Sequence, residues 1–158
     1  MYKWLAVILA CILIAAGITG CVYSKAMTPV KKARDAAEAR LKSETDIKSV
    51  DEFYLYNGSS TYFVVIGKNS KGKETAAWIP ENKKDEVHVK KMSDGVSKQD
   101  AVNKLLSEKK PKEILGVRLG MEKELPVWEL SYLDENSNLN YYYIHFDSGK
   151  WWRKIENL

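Results

Sequence analysis

The sequence predicts an α+β protein: an N-terminal transmembrane helix followed by two tandem units, each a helix packed on a four-stranded antiparallel sheet. Three observations predict it. An uncharged run extends from Trp4 to Ser24. Beyond it, helical spacing of apolar residues occurs twice, once after Thr28 and once after Ser97. Each helical stretch is followed by four short segments of strand character, and glycine-containing turn signals separate several of them. The implied division is an anchor over 1–27, a first unit over 28–92 and a second over 93–158.

The run from Trp4 to Tyr23 contains some twenty residues, which at ~1.5 Å per residue cross a hydrocarbon core of ~30 Å. Trp4 and Tyr23 stand at its ends, where amphipathic rings favour the headgroup level. A second reading uses the same residues. Ile18-Thr19-Gly20-Cys21 resembles the bacterial lipobox, with Lys3 as a charged n-region, so that Cys21 is the alternative lipidation site and the start of a processed chain. Lys25, Lys31, Lys32 and Arg34 outnumber Lys3 near the helix ends. Taken literally, that bias would place the large domain in the cytoplasm, whereas the signal-like architecture favours the outside. Both cysteines, Cys11 and Cys21, lie within this run, so residues 22–158 can form neither a disulfide framework nor a cysteine metal site.

The first unit opens with Thr28 as N-cap and Pro29 at the first helical position. Val30, Ala33, Ala37 and Leu41 then form a narrow apolar stripe, while Lys31, Asp35, Glu38 and Lys42 form a solvated face. Strands are expected over 50–56, 61–68, 74–80 and 85–92, with turns at Asn57-Gly58 and at Asn69-Ser70-Lys71-Gly72. In the second unit Ser97 caps a helix with Asp100 three residues on. Ala101, Val102, Leu105 and Leu106 share its apolar face, and Pro111 stops it. Strands follow over 113–121, 125–133, 139–146 and 150–156, with a hairpin turn at Ser148-Gly149. A unit of this size buries only ~60% of its unfolded surface, which makes docking of the two plausible; the alternative is two beads on a short linker near Asp94-Gly95.

Composition narrows the function. With 45% hydrophobic and 29% charged residues the chain is an ordinary folded protein. Its 25 Lys and Arg against 21 Asp and Glu are too evenly mixed to mark a nucleic-acid binder. The two histidines, His88 and His145, fall in strand-like sequence without metal-ligand spacing. No H-E-x-x-H, G-x-S-x-G or P-loop pattern occurs, and the acidic pairs Asp51-Glu52, Asp85-Glu86 and Asp134-Glu135 read as solvated charge. A non-enzymatic chain without cofactor or metal is expected.

The aromatic residues carry more. Trp128, Leu130 and Tyr132 alternate with Glu129 and Ser131, which sends the Trp face toward the helix carrying Leu105. Asn140, Tyr142, Ile144 and Phe146 join that core. Tyr141, Tyr143 and His145 then point to the other face, beside Trp151 or Trp152. That stripe either stacks between the two repeats or forms a partner-binding patch, and on the latter reading Tyr141 and Tyr143 are the partner-binding residues.

The segment Val127-Trp128-Glu129-Leu130, followed by Tyr142-Tyr143-Ile144-His145-Phe146-Asp147-Ser148-Gly149-Lys150, resembles the PepSY-type pattern. In that pattern a Trp-Glu-aliphatic strand precedes a Tyr-containing strand ending in Asp-x-Gly-Lys. With the N-terminal apolar run, the alanine-rich helix ending in Glu44-Thr45-Asp46, Tyr62-Phe63-Val64-Val65 and Trp78-Ile79-Pro80, nearly the whole chain resembles the TseB-like (YpmB-like) cell wall elongation regulators of Gram-positive bacteria. The resemblance implies two cystatin-like, PepSY-related domains outside the cytoplasmic membrane. It also implies a non-catalytic role in contact with a penicillin-binding transpeptidase. PepSY-type modules can also inhibit secreted proteases, and a wall-glycan-binding lipoprotein is a further alternative. Cys21 departs from the family pattern, because an uncleaved anchor does not require cysteine there.

Overall fold

The computed structural model describes residues 31–156. The expected membrane helix, Cys21 and the Thr28-Pro29 helix start lie outside the described residues. Among those described, no helix is long and apolar enough to cross a membrane. The chain divides into two compact units, Met1–Glu38 and Ala39–Leu158. Residues 31–44 are helical (α1). Within the first unit, Arg34 Nε donates to Glu38 Oε1 at 2.9 Å, an exposed i,i+4 pair of the kind worth ~0.3–0.5 kcal/mol.

Among the described residues, the strands all lie in the second unit. β1 (Ile47–Asn57), β2 (Thr61–Asn69), β3 (Glu74–Pro80) and β4 (His88–Lys91) form one antiparallel sheet in chain order. A single 3-10 turn, Met92–Asp94, leads to α2 (Lys98–Glu108). β5 (Glu113–Glu122), β6 (Leu125–Leu133), β7 (Leu139–His145) and β8 (Trp151–Ile155) form the second sheet, also antiparallel in chain order. The end of α1 is fixed to the first sheet by Arg40, whose Nη1 and Nη2 donate to the carbonyls of Pro80 (3.2 Å) and Asp85 (2.8 Å). Leu41 is buried there, as its place in the apolar stripe predicts.

β3 and β6 have the limits expected from their alternation, and the other elements differ for local reasons. β1 starts three residues early, at Ile47, because register shifts at Ile47/Ser49 and Val50/Glu52 break the two-residue period that marks a strand in sequence. β4 is shorter than expected. Residues before it form a turn in which Asn82 Oδ1 accepts from the Lys84 amide at 3.2 Å, and Met92 passes into the 3-10 turn. α2 carries the expected capping box, with Ser97 Oγ accepting from the Asp100 amide and the Asp100 carboxylate accepting from the Ser97 amide. It ends at Glu108 with Lys109 extended, ahead of Lys110, where the following Pro111 disfavours helical backbone.

One buried cluster joins both sheets and α2. It contains Tyr62, Val64, Ala76 and Trp78 from the first sheet, Ala101 and Leu105 from α2, Trp128, Leu130, Tyr142 and Ile144 from the second sheet, and Phe146 just beyond β7. The Trp78 and Phe146 rings meet edge to face at 6.1 Å, and Trp128 and Phe146 meet at a tilt at 6.5 Å. The connection between the two halves is stitched into this core: the Val96 amide donates to Phe146 O at 2.8 Å, and Trp128 Nε1 donates to Val96 O at 2.9 Å. At the free side of β5, the Tyr54 hydroxyl donates to Leu119 O (3.1 Å) and accepts from the Leu119 amide (3.0 Å). Those two bonds satisfy backbone groups that would otherwise offer an open sheet edge.

Candidate functional site

The face of the second sheet turned away from that core is ordered by strand register. Arg118 on β5 stands opposite Glu129 on β6, Glu129 opposite Tyr143 on β7, and Tyr143 opposite Arg153 on β8. One row of side chains therefore crosses all four strands. Cross-strand neighbours have Cβ atoms ~5 Å apart, so the charges pair along the row. Arg118 Nε donates to Glu129 Oε1 at 2.7 Å, and Glu129 is only 5% exposed. The Arg153 guanidinium lies 4.6 Å from the Tyr143 ring centre and 4.7 Å from that of Trp152, a cation held against two π faces. Tyr141 and Tyr143 stack at 6.4 Å, and Trp152 meets Tyr143 and His145 edge to face at 6.0 and 6.3 Å.

A second buried carboxylate closes one end of this face. Glu122, at the end of β5, accepts from the Tyr56 hydroxyl (3.0 Å) and the Ser59 amide (3.2 Å), and Arg153 Nη2 approaches it at 3.4 Å. The Tyr56 ring fits because residue 120 is glycine: a Cβ there would sit 2.2 Å from the ring. The β5–β6 turn is made by Lys123 and Glu124, both at positive φ (49° and 64°), and the Lys123 amide donates to Ser59 Oγ. Ser59, Glu122, Lys123 and Arg153, with Asn57 and Tyr143, line a cleft of about 320 Å³.

Four buried tyrosines of the two sheets are held protonated. Burial pushes the Tyr54, Tyr56, Tyr142 and Tyr143 hydroxyls up, reinforced by the Glu129 and Glu122 carboxylates at Tyr56, by Glu129 at Tyr143 and by Glu108 at Tyr142. A folded-state pKa above the unfolded value of about 10 favours the fold while the phenol is neutral. Stability from these groups is thus complete below pH ~10 and lost as the pH rises further. Denaturant titrations at pH 8, 10 and 11 are expected to give a midpoint that falls more steeply between the last two than between the first two, and a midpoint still flat at pH 11 would contradict the assignment.

Of the residues singled out from sequence, Tyr141 is half-buried and Tyr143 is 5% exposed, its ring covered by Arg153. Both lie on the face opposite Ile144, as alternation requires, and the tryptophan beside Tyr143 is Trp152. His145 shares this face, His88 lies on β4, and Cys21 is outside the described residues. Sequence reasoning did not single out Arg118, Glu122, Arg153 or Tyr56. Their alignment depends on register between strands, and no motif in the sequence encodes that register.

The chain matches the family described as "Cell wall elongation regulator TseB-like domain" over residues 36–80. It is 31% identical, over 144 residues, to the "Probable cell wall elongation regulator TseB" of Bacillus subtilis (strain 168), a match covering 91% of this chain and 87% of that protein. Its fold is similar to that of the solved "YpmB protein from Bacillus subtilis", with a TM-score of 0.73 and 31% identity over 77% of this chain and 95% of the other. The family and the TseB relative are named for regulation and not for a reaction, in agreement with a non-enzymatic chain. With such identity over most of both chains, the protein belongs to the TseB-like family of cell wall elongation regulators.

Proposed function

We propose that the chain is a single-pass membrane protein that holds two cystatin-like, PepSY-related units outside the cytoplasmic membrane, where they regulate wall elongation by contacting a penicillin-binding transpeptidase. Family membership supports the regulatory role. The observation that supports action by contact is the outward face of the second sheet, where Tyr141, Trp152, Arg118 and Arg153 remain within reach of solvent. Tyr, Trp and Arg are the residue types that interfaces favour and that dominate binding energy. The test is co-purification of the transpeptidase with the detergent-solubilised full chain. Tyr141→Ala is expected to weaken association about ten-fold without lowering the melting temperature. Unchanged co-purification would remove this face from the reading. Tyr143→Ala is less informative alone, because its buried ring also contributes to folding.

The anchor has a second reading, favoured by Ile18-Thr19-Gly20-Cys21. Intact-mass measurement of the membrane-extracted protein is expected to find residues 1–20 retained, and Cys21→Ser to leave localisation unchanged. A diacylated species starting at Cys21 would establish the lipoprotein instead. A reporter active only outside the cytoplasm, fused after Leu158, checks the orientation.

A further inference from the structure

The cleft at the end of the second sheet combines features that the fold itself leaves unused. Its acidic group, Glu122, is already engaged by Tyr56, Ser59 and Arg153 and is 3% exposed. Its cations are not used up. Lys123 is exposed on the hairpin turn, and the Arg153 side chain keeps 40% of its surface. Arg153 Nε is buried without a hydrogen-bond partner. The guanidinium is already held against the Tyr143 and Trp152 rings, so its order is established before any ligand arrives and little entropy is lost when an acceptor meets its exposed part.

We infer that this cleft, formed by Ser59, Lys123, Tyr143 and Arg153 over Glu122, is a receptor for one carboxylate: an Asp or Glu side chain on the protein partner of the proposed regulatory contact. The inference rests on that reading and adds the chemistry of the contact. A guanidinium fork matches a planar carboxylate, and Lys123 supplies a second positive charge at the mouth. Phosphate is disfavoured, since a group near two negative charges would meet the Glu122 carboxylate beneath Arg153, whereas a singly charged carboxylate meets half that repulsion. The aromatic flank of Tyr141, Tyr143 and Trp152 runs directly from the cleft and suits the apolar residues beside an acidic side chain in a protein surface.

The test uses the full chain in host cells lacking their own copy, with a photo-crosslinking amino acid at Asn57 on the cleft rim. Lys71 is the control position: it lies in the β2–β3 turn, a full nine-residue strand from the β1–β2 loop, or roughly 30 Å away. Asn57 is expected to crosslink to the transpeptidase and Lys71 not. Arg153→Gln should reduce the Asn57 yield about ten-fold or more, and Arg153→Lys should recover part of it. Lys123→Glu, an exposed change that keeps the turn, should also reduce the yield, and it decides the matter if Arg153→Gln melts early. Wild-type yields from Arg153→Gln and Lys123→Glu, with the wild-type crosslink present, would overturn the carboxylate site and leave the regulatory contact standing. Absence of the transpeptidase from both crosslinks and co-purification would overturn the contact and the site together. If the wild-type Asn57 crosslink carries phosphatidylglycerol in place of the transpeptidase and both variants abolish it, the cleft is a phosphate site and the inference fails.

Discussion

Trp128→Ala is expected to lower folding stability by about 3–5 kcal/mol, the range for deleting a buried aromatic ring. Trp128 is 2% exposed, packs on Phe146 and donates through Nε1 to Val96 O on the connection between the two halves. The change therefore opens a cavity and also removes the bond that fixes the connection. Trp78 provides a sharp comparison. It is fully buried, but its Nε1 has no hydrogen-bond partner. Trp→Phe at 128 strands the Val96 carbonyl and is expected to cost more than Trp→Phe at 78, where the lost N–H satisfied nothing. Urea unfolding of the three variants measures this order directly. Equal costs for the two Phe variants would mean that the Trp128 hydrogen bond contributes nothing.

Glu122→Ala is the second large effect, at about 3 kcal/mol, because it leaves the Tyr56 hydroxyl and the Ser59 amide without their acceptor and Arg153 without its counter-charge. Tyr56→Phe deletes only one donor and is expected to cost about 1 kcal/mol. In the double variant the two losses should fall short of their sum, since the same bond is counted in both. Thermal unfolding of the cycle tests the network, and strict additivity would show that Tyr56 and Glu122 act independently.

Local physics made much of this chain readable. The Ser97–Asp100 capping box, the strand Glu74–Pro80, the strand Leu125–Leu133 and the inward phase of Trp128, Leu130, Tyr142 and Ile144 all follow from hydrogen-bonding groups a few residues apart or from the two-residue period of a strand. The β5–β6 hairpin was less legible. Its turn residues, Lys123 and Glu124, adopt positive φ without the Asn-Gly or Asp-Gly pair that usually permits it. The start of β1 was hidden by its two register shifts.

The sequence by itself determined two antiparallel sheets, the helices preceding them and the residues that each strand sends inward, because these depend on interactions between near neighbours in the chain. Only the tertiary structure decided that both sheets close on one core through Trp78 and Phe146. It also decided that Arg118, Glu129, Tyr143 and Arg153 form one row and that Glu122 is enclosed by Tyr56, Ser59 and Arg153. Glu122 and Tyr56 are 66 residues apart. A charge in a strand reads as solvated until register and docking bring the group that neutralises it, and both are set by the packing of whole sheets, which no local pattern records.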